Sequence, residues 1–393
     1  MNLKKSLLSL AIAIFVLQQA NGQQKFNYPG EKKEAKTYEG AARDSFTNSN
    51  FHEVKDLDFS KVKKKAKNII LLIADGAGAS QFFTAIAANH NQAYIEQMKY
   101  VGFSKTSSSD DFTTDSAAGG TALSTGEKTY NGAIGLDKSK QPIKTILEIA
   151  DEQGLATGLV ATSKITHATP AAFIAHQPSR NNYQEIAAEF LNTDINVFIG
   201  GGLEDFHNRE DERNLVKELE NKGYQIANSL EELEKVNSGK VASLLADGHM
   251  PAYNERGEML KPATEKAIEI LSQDKDGFFL MIEGSQIDWG GHGNNTQMIV
   301  EETLDFDHTL GAVLEFAAKD GETLVIVTAD HETGGYSVNS GDMKTGKIDG
   351  RYTTKHHTGV MVPVFAVGPQ AELFSGIYEN TAIFDKMMKA FEF

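Results

Sequence analysis

A serine that the sequence places at the start of a helix is the strongest candidate for a nucleophile. Asp115 and Ser116 precede a run of small residues, 117–126, several of which favour helix formation. The first N–H groups of a helix are unpaired and the helix dipole is positive there, so this end binds an anion favourably. A serine hydroxyl in that position could attack a bound phosphate if another group removed its proton. The same two residues could instead simply cap the helix, so the assignment depends on the rest of the chain.

Side chains of the kinds that bind divalent cations follow four separate segments that the sequence predicts as strands. They are Asp75 after Asn68–Ala74, Thr169 in the loop after 157–162, Glu283 after 278–282, and Asp330 with His331 after 323–328. Because ligands bind outside the carboxyl ends of strands in an open parallel sheet, these groups would meet at one edge. Clustered carboxylates are costly without cations; mixed histidine and carboxylate sets suit zinc, and sets of carboxylate, hydroxyl and water suit magnesium. Taken alone, Asp75 could be an N-cap and Asp330 part of a turn.

A further group of possible metal ligands lies later in the chain. Asp288 and His292 are four residues apart, which places both side chains on one face if this segment is helical. His357 could complete a cation site with them. Each residue also has an ordinary interpretation, because Asp288 could cap a helix and the histidines, including His356, could be solvated surface residues.

Strands and helices alternate along most of the chain. The continuous apolar run Asn68–Ala74 is typical of a central parallel strand that is buried on both faces. Further strands are predicted at 157–162, 195–199, 278–282, 323–328 and 362–367, and helices from about residue 80 and at 145–152, 209–222, 262–271, 299–313 and 381–391. This order predicts an α/β fold with a doubly wound, largely parallel central sheet and helices on both faces. Residues 337–354 are predicted as a polar, loop-like surface insertion.

Composition and the first residues limit the class of protein. The chain has 393 residues, no cysteine and a formal net charge of -16, which argues against a nucleic-acid-binding surface. A charged start, a short apolar run at 6–17 and small residues at 20–22 predict a signal peptide over 1–22 rather than a membrane anchor. We therefore expect an exported protein, periplasmic or extracellular, without disulfides. Residues 23–67 are predicted as a polar leader with a short strand or helix near 53–62, and 68–393 as the main folded domain.

A series of short motifs, taken in order, resembles the alkaline phosphatases that bind two zinc ions and one magnesium ion. The motifs are 73–78 (Ile-Ala-Asp-Gly-Ala-Gly), 114–118 (Thr-Asp-Ser-Ala-Ala), 124–132 (Ser-Thr-Gly-Glu-Lys-Thr-Tyr-Asn-Gly), 167–172 (His-Ala-Thr-Pro-Ala-Ala), 283–292 (Glu-Gly-Ser-Gln-Ile-Asp-Trp-Gly-Gly-His), 328–335 (Thr-Ala-Asp-His-Glu-Thr-Gly-Gly) and 357–359 (His-Thr-Gly). The resemblance covers about residues 68–369 and makes 68–393 an alkaline phosphatase-like catalytic domain. It implies hydrolysis of phosphate monoesters through a phosphoserine intermediate, with release of inorganic phosphate.

The resemblance also implies roles for the candidate residues. Ser116 would be the nucleophile, and Arg180 would hold the phosphate while Asp115 positions the arginine. Three metal sites would share the remaining side chains. The implied sets are Asp288, His292 and His357 for the first zinc, Asp75, Asp330 and His331 for the second, and Asp75, Thr169 and Glu283 for magnesium.

Two positions depart from some bacterial relatives, which carry aspartate and lysine where this chain has His167 and Trp289. His167 could contact the third metal, so that site could hold magnesium or a third zinc. Trp289 lacks the cation that a lysine brings toward phosphate, so phosphate is expected to leave more easily, unless Trp289 is a packing residue. The segment between His331 and His357 is short beside family members that have a large surface crown. A monomer or a differently built homodimer is therefore expected.

Two other functions stay open on the sequence alone. A phosphodiesterase of the same superfamily would use the same metals, and comparing monoester with diester hydrolysis would separate the two activities. A secreted phosphate- or metal-binding protein would keep its affinity after replacement of Ser116. The expected partners are small phosphomonoesters and inorganic phosphate, with neither nucleic acid nor a membrane anchor.

Overall fold

The computed structural model of the protein describes residues 42–393. The predicted signal peptide, 1–22, and residues 23–41 of the predicted leader lie outside the described residues. Across 42–393, each helix is too short or too polar to span a bilayer.

The described chain contains fifteen strands and thirteen α-helices, besides two 3₁₀ turns at Tyr94–Gln97 and Ala371–Phe374. The strands are β1 (Ala42–Thr47), β2 (Asn68–Ala74), β3 (Tyr100–Lys105), β4 (Ala156–Lys164), β5 (Val197–Gly201), β6 (Gln225–Ala227), β7 (Val241–Leu244), β8 (Phe278–Gly284), β9 (Thr323–Thr328), β10 (Glu332–Thr333), β11 (Ser337–Asp342), β12 (Lys347–Tyr352), β13 (His357–Thr358), β14 (Val362–Val367) and β15 (Gly376–Glu379). The helices are α1 (Ala79–Ala88), α2 (Ser116–Thr125), α3 (Ile146–Glu152), α4 (Ala168–Ala171), α5 (Tyr183–Glu189), α6 (Leu203–His207), α7 (Leu215–Asn221), α8 (Leu230–Glu234), α9 (Tyr253–Arg256), α10 (Leu260–Leu271), α11 (Ile287–Gly293), α12 (Thr296–Asp320) and α13 (Thr381–Phe391).

One large sheet runs through the molecule in the order β15-β3-β14-β9-β2-β8-β4-β5-β7-β6. Its neighbours pair in parallel except β14, which is antiparallel to both β3 and β9. Helices cover both faces, so the predicted α/β fold with a largely parallel sheet is confirmed.

The central strand β2 is apolar at every position because its two faces enter two different cores. Ile69, Leu71 and Ile73 belong to the core that includes side chains of α2, α3, α5 and α13. Ile70, Leu72 and Ala74 belong to the core on the other face, with α1, α10 and α12. Burial on both faces removes the alternation of polar and apolar residues that a half-exposed strand would show.

The register of the sheet brings three acidic side chains to one edge. β2 lies between β8 and β9, and Ile73 pairs with Glu283 on one side and with Thr328 on the other. Asp75 follows Ile73 by two residues and Asp330 follows Thr328 by two residues, so both lie just past the ends of β2 and β9. The carboxylates at the strand ends therefore meet as predicted. Glu283 lies within β8, next to its last residue, rather than after the strand.

The prediction of a loop-like insertion at 337–354 is wrong, and so is that of a strand or helix near 53–62. β11 and β12 form a hairpin, and β1, from the predicted leader, pairs with β12 from Ala42↔Tyr352 to Thr47↔Lys347. These strands form a separate three-stranded sheet that packs on α1 and α12 and adds only a few apolar side chains, Phe46, Val338 and Ile348, to a small core there. Where the catalytic domain begins remains a prediction.

Two helix predictions and one loop prediction differ from the structure in detail. The helix predicted over 209–222 is only Leu215–Asn221, because the Asn214 side chain caps it by accepting from the Lys217 N–H at 3.0 Å. α10 begins at Leu260, so Pro262 is its third residue rather than its first; the first-turn N–H groups have no intrahelical partner, which is why proline fits there. Thr169 lies on the short helix α4 instead of in a loop.

Candidate active site

Ser116 is the first residue of α2, at the predicted start of the helix. Asp115 is the cap, and its Oδ1 accepts a hydrogen bond from the Ala118 N–H at 3.0 Å. The Ser116 hydroxyl is therefore not used for capping. It is buried, and its Oγ lies 3.2 Å from His331 Nε2. A serine hydroxyl that takes no part in capping, an imidazole nitrogen and a helix N-terminus thus meet at one point.

Arg180 is held beside this helix end by the other oxygen of the capping carboxylate. Its Nη1 donates to Asp115 Oδ2 at 3.1 Å, and its Nη2 lies 3.2 Å from His167 Nε2. The Arg180 backbone N–H also donates to the Gly132 carbonyl at 2.7 Å. Asp115 therefore fixes both the helix that carries the serine and the guanidinium group next to it.

Asp288, His292 and His357 come together as one group of possible ligands. Asp288 and His292 both lie on α11, as their spacing predicts, and Asp288 Oδ2 is 3.3 Å from His292 Nε2. His357, on β13, places its Nε2 3.1 Å from His292 Nε2 and 3.5 Å from Asp288 Oδ1. Burial would raise the pKa of Asp288, but the bond from His292 and the charges of the nearby histidines hold this pKa well below its ordinary value. The Asp288 carboxylate is thus ionised and lies next to the Nε2 atoms of His292 and His357.

Asp75, Asp330 and His331 form a second group directly beside the serine. His331 Nε2 is 3.2 Å from Asp330 Oδ2 and 3.6 Å from Asp75 Oδ1, and all three side chains are fully buried. The His331 ring also stacks on the His357 ring with centroids 3.6 Å apart, which joins the two groups. Gly76 permits this approach, since a Cβ there would lie 2.6 Å from the Asp288 Cα and the residue has φ +76°.

A third group contains Asp75 again, with Glu283 and His167. One potential ligand atom from each of these residues lies within 4.8 Å of the others, and the same holds for Asp75, Asp330 and His331. Thr169 lies close enough to Glu283 to lower the pKa of that carboxyl, although burial raises it overall to about 7. Every side chain that the sequence analysis named as a metal ligand is therefore found in one of three adjoining groups.

Several buried polar atoms of these groups lack the hydrogen-bond partners that buried atoms ordinarily have. Those without any hydrogen bond are both carboxylate oxygens of Asp75, Asp330 Oδ2, Glu283 Oε1, Thr169 Oγ1 and His167 Nδ1. Burial and the charges of neighbouring carboxylates raise the pKa of Asp75 well above its ordinary value, and burial with the charge of Asp288 raises that of Asp330 to about 6. Divalent cations would satisfy these atoms and remove the repulsion, so the residues fit metal sites.

Comparison with known protein families agrees with this geometry. The family model described as alkaline phosphatase matches residues 66–351 and 347–393. The chain belongs to the alkaline phosphatase family. The protein is accordingly a metal-dependent hydrolase of phosphate monoesters, which sets aside the alternatives of a diesterase or a binding protein without turnover.

Alkaline phosphatases from several organisms are similar to this chain. Alkaline phosphatase 3 of Bacillus subtilis is 36% identical over 83% of this chain and 89% of its own length. The alkaline phosphatase of Escherichia coli is 34% identical over 83% of this chain and 86% of its own length. The solved structure of the alkaline phosphatase from the Antarctic bacterium TAB5 superposes with a TM-score of 0.79 at 43% identity, over 84% of this chain and 99% of that one. A variant of the TAB5 enzyme with one histidine changed to aspartate has Mg bound in its M3 site.

Two residues of this alkaline phosphatase that the sequence analysis did not select lie against the predicted ligands. The Thr333 hydroxyl donates to Asp288 Oδ1 and lies 3.2 Å from His331 Nδ1, so it links two ligand groups. Its position two residues after His331 in the same motif was an available signal. His249 packs against Trp289 with ring centroids 5.0 Å apart, and Trp289 packs against His167 at 6.3 Å. His249 lies in no motif, so nothing in the sequence pointed to it.

Proposed function

We propose that this alkaline phosphatase transfers the phosphoryl group of its substrate to Ser116 and then hydrolyses the phosphoserine. The main support is the position of Ser116 Oγ, which is buried at a helix N-terminus, 3.2 Å from His331 Nε2. Carboxylate oxygens of Asp75 and Asp330 in the same group have no hydrogen-bond partner. The N-terminus of α2 and Arg180 would hold the non-bridging phosphate oxygens, because a guanidinium group can donate two parallel hydrogen bonds. Acid quenching during turnover of a labelled monoester, followed by peptide mapping, should recover label on Ser116.

We further propose two zinc ions and one magnesium ion per chain. Asp288, His292 and His357 would hold the first zinc; Asp75, Asp330 and His331 the second; and Asp75, Thr169 and Glu283 the third ion. When bound, the zinc ions would favour ionisation of the serine hydroxyl and of a water molecule and neutralise the departing oxygen. The protein's own contribution is to hold Ser116, Arg180 and the ligands in fixed positions, which the strand ends and α2 do. Metal analysis of the purified protein tests this stoichiometry.

His167 makes the identity of the third ion a separate question. A neutral imidazole has one lone pair, and burial, with the charge of Arg180, lowers the pKa of His167 to about 3, so the ring is neutral. In the structure its Nε2 lies 3.2 Å from Arg180 Nη2, an arrangement in which Nε2 accepts. Binding a cation through Nδ1 would therefore break the contact with Arg180.

We expect His167→Asp to raise the magnesium content of the third site severalfold, because a carboxylate has lone pairs for both a cation and Arg180 and suits magnesium better than an imidazole does. The measurement is magnesium and zinc content after dialysis against both ions, beside the wild-type protein. The Mg-bound histidine-to-aspartate variant of the TAB5 enzyme supports this expectation. An unchanged ratio of the two metals would mean that His167 does not take part in this site.

We expect Asp115→Asn to weaken phosphate binding by about tenfold, the usual loss when one charged hydrogen bond is removed. Asparagine keeps the cap of α2, whereas Arg180 loses the charge that holds it. The KM for a monoester and the inhibition constant of inorganic phosphate should rise together, with little change in melting temperature. A fall in kcat with both constants unchanged would place the role of Asp115 elsewhere.

We propose that the protein is exported. The support is the sequence of residues 1–22, and the N-terminal residue of the mature protein, determined by mass spectrometry of material from the cell envelope and the medium, is the test. Retention of residues 1–22 would contradict export by this route. Size-exclusion chromatography with light scattering distinguishes the two expected states, a monomer and a homodimer.

A further inference from the structure

One large apolar side chain stands in solvent at the mouth of the active site. Phe112 is 79% exposed, more than any other large hydrophobic residue in the described part of the chain. Its neighbours Asp111 and Thr113 line an open cleft of about 460 Å³, whose other side is formed by His292, His356 and His357. A single exposed apolar residue is ordinary on a protein surface, so its position beside this cleft is what calls for an explanation.

The loop that carries Phe112 is fixed on both sides of the ring. The Asp111 N–H donates to Ser108 Oγ at 3.0 Å, and the Thr113 N–H donates to Asp111 Oδ1 at 2.9 Å. Asn131 clamps the following residues, since its Nδ2 donates to the Thr113 carbonyl at 3.0 Å and its Oδ1 accepts from the Asp115 N–H at 2.9 Å. These hydrogen bonds therefore hold the turn that carries Phe112, four residues before Ser116, in a fixed position.

The Phe112 ring rests on Gly359, which follows the predicted zinc ligand His357 by two residues. A Cβ at Gly359 would lie 2.3 Å from Phe112 Cε1, so a side chain there would displace the ring from its present position next to β13. Both sides of the mouth are tied together here, because His357 Nδ1 also contacts the Thr114 carbonyl at 2.9 Å. One edge of the ring is thus packed against Gly359, and the rest is exposed to solvent beside the cleft that Asp111 and Thr113 line.

We propose that Phe112 forms a binding subsite for the alcohol part of the substrate and favours phosphomonoesters of aromatic alcohols. This rests on the proposed function, in which Ser116 and Arg180 hold the phosphate inside the cleft. The bound ester then directs its alcohol part outward, past the edge of the cleft that Asp111 and Thr113 line and beside which Phe112 is exposed. An aromatic leaving group covers the exposed ring and gains a ring–ring contact, whereas a small alkyl group reaches too little of it.

The test compares kcat/KM for 2-naphthyl phosphate and for ethyl phosphate in wild type, Phe112→Ala and Phe112→Tyr. Dividing each variant by wild type for the same substrate removes the difference in leaving-group reactivity. We expect Phe112→Ala to lower kcat/KM for the naphthyl ester roughly three- to tenfold. The ethyl ester and inhibition by inorganic phosphate should change less than twofold. Phe112→Tyr keeps the ring and should behave as wild type.

The matched control is Ile377→Ala, which removes another exposed apolar side chain (65%) on the edge strand β15. It should leave both substrates unchanged. Equal loss for both esters in Phe112→Ala, or no loss, would overturn the subsite. On wild type alone, phenylphosphonate should inhibit more tightly than methylphosphonate, and equal inhibition would also contradict the subsite. Absence of wild-type turnover on either ester would instead refute the proposed function.

Discussion

Ser116→Ala is expected to remove phosphomonoesterase activity almost completely, by a factor on the order of 10³–10⁶, as losses of a covalent nucleophile do. We expect this loss because the other groups of the site can bind phosphate, but none of them provides a nucleophile to which the phosphoryl group can be transferred. Initial rates on an aryl phosphate measure the loss, and acid quenching should find no phosphoprotein. Binding of inorganic phosphate should persist, because Arg180 and the start of α2 are unaltered.

The control for this experiment is Ser80→Ala, the same change in the first turn of α1, which also begins just after a strand end of the central sheet. It should retain activity and stability within a factor of about two, as substitutions away from special contacts usually do. If Ser116→Ala kept substantial turnover with bound metals, the phosphoserine route would be wrong, and direct attack by water would have to replace it.

Removal of divalent cations is expected to abolish activity and to lower the melting temperature by several degrees or more. Asp75, Asp330 and Glu283 would then share one buried region with oxygens that have no partner. Isolated buried carboxylates are costly, and metal binding contributes its free energy to the folded state. Dialysis against a chelator, followed by differential scanning calorimetry and an activity assay, measures both effects. Zinc and magnesium together should restore activity, whereas neither alone should restore it fully.

The chelated protein should also respond to pH in a defined direction. Burial raises the pKa of Glu283 from 4.5 to about 7, and burial with the charge of Asp288 raises that of Asp330 from 3.8 to about 6. The folded state therefore holds protons that the unfolded chain has already released, so stability is greatest at low pH within this range. The melting temperature of the chelated protein should fall between about pH 4.5 and pH 7. A rise over this interval would show that these carboxylates are not buried together in the metal-free protein.

The central part of the fold could be predicted because its sequence signals are local and strong. Asn68–Ala74 is apolar at each position, and α13 was predicted with its observed bounds. By contrast, β11 is polar and partly exposed, and β12 is largely buried but has charged residues or glycine at four of its six positions, so neither periodicity nor composition distinguishes them from a loop. β1, the other partner of β12, lies about 300 residues earlier in the chain. Pairing between distant polar segments leaves no signal that a single sequence can reveal.

The same distinction applies to the site. Residue types at strand ends indicated cations, but no single spacing divides nine ligands among three sites, and that division came from the resemblance to a family. The sequence offered Asp115 as a possible cap, and the resemblance implied that it positions Arg180; the structure adds that one carboxylate does both at once, capping α2 with Oδ1 and holding Arg180 with Oδ2. Contacts of this kind depend on distances between segments that are far apart in sequence.

The order of strands in the sheet has a consequence for how the chain acquires its shape. β2 is the first strand of the large sheet to be synthesised, yet both of its neighbours, β8 and β9, come from the last third of the chain. The N-terminal half cannot complete its central layer alone, and such long-range pairing is intrinsically slow. A chain of this design stays incompletely folded until synthesis is nearly finished, a state in which it can still be threaded through a translocation pore.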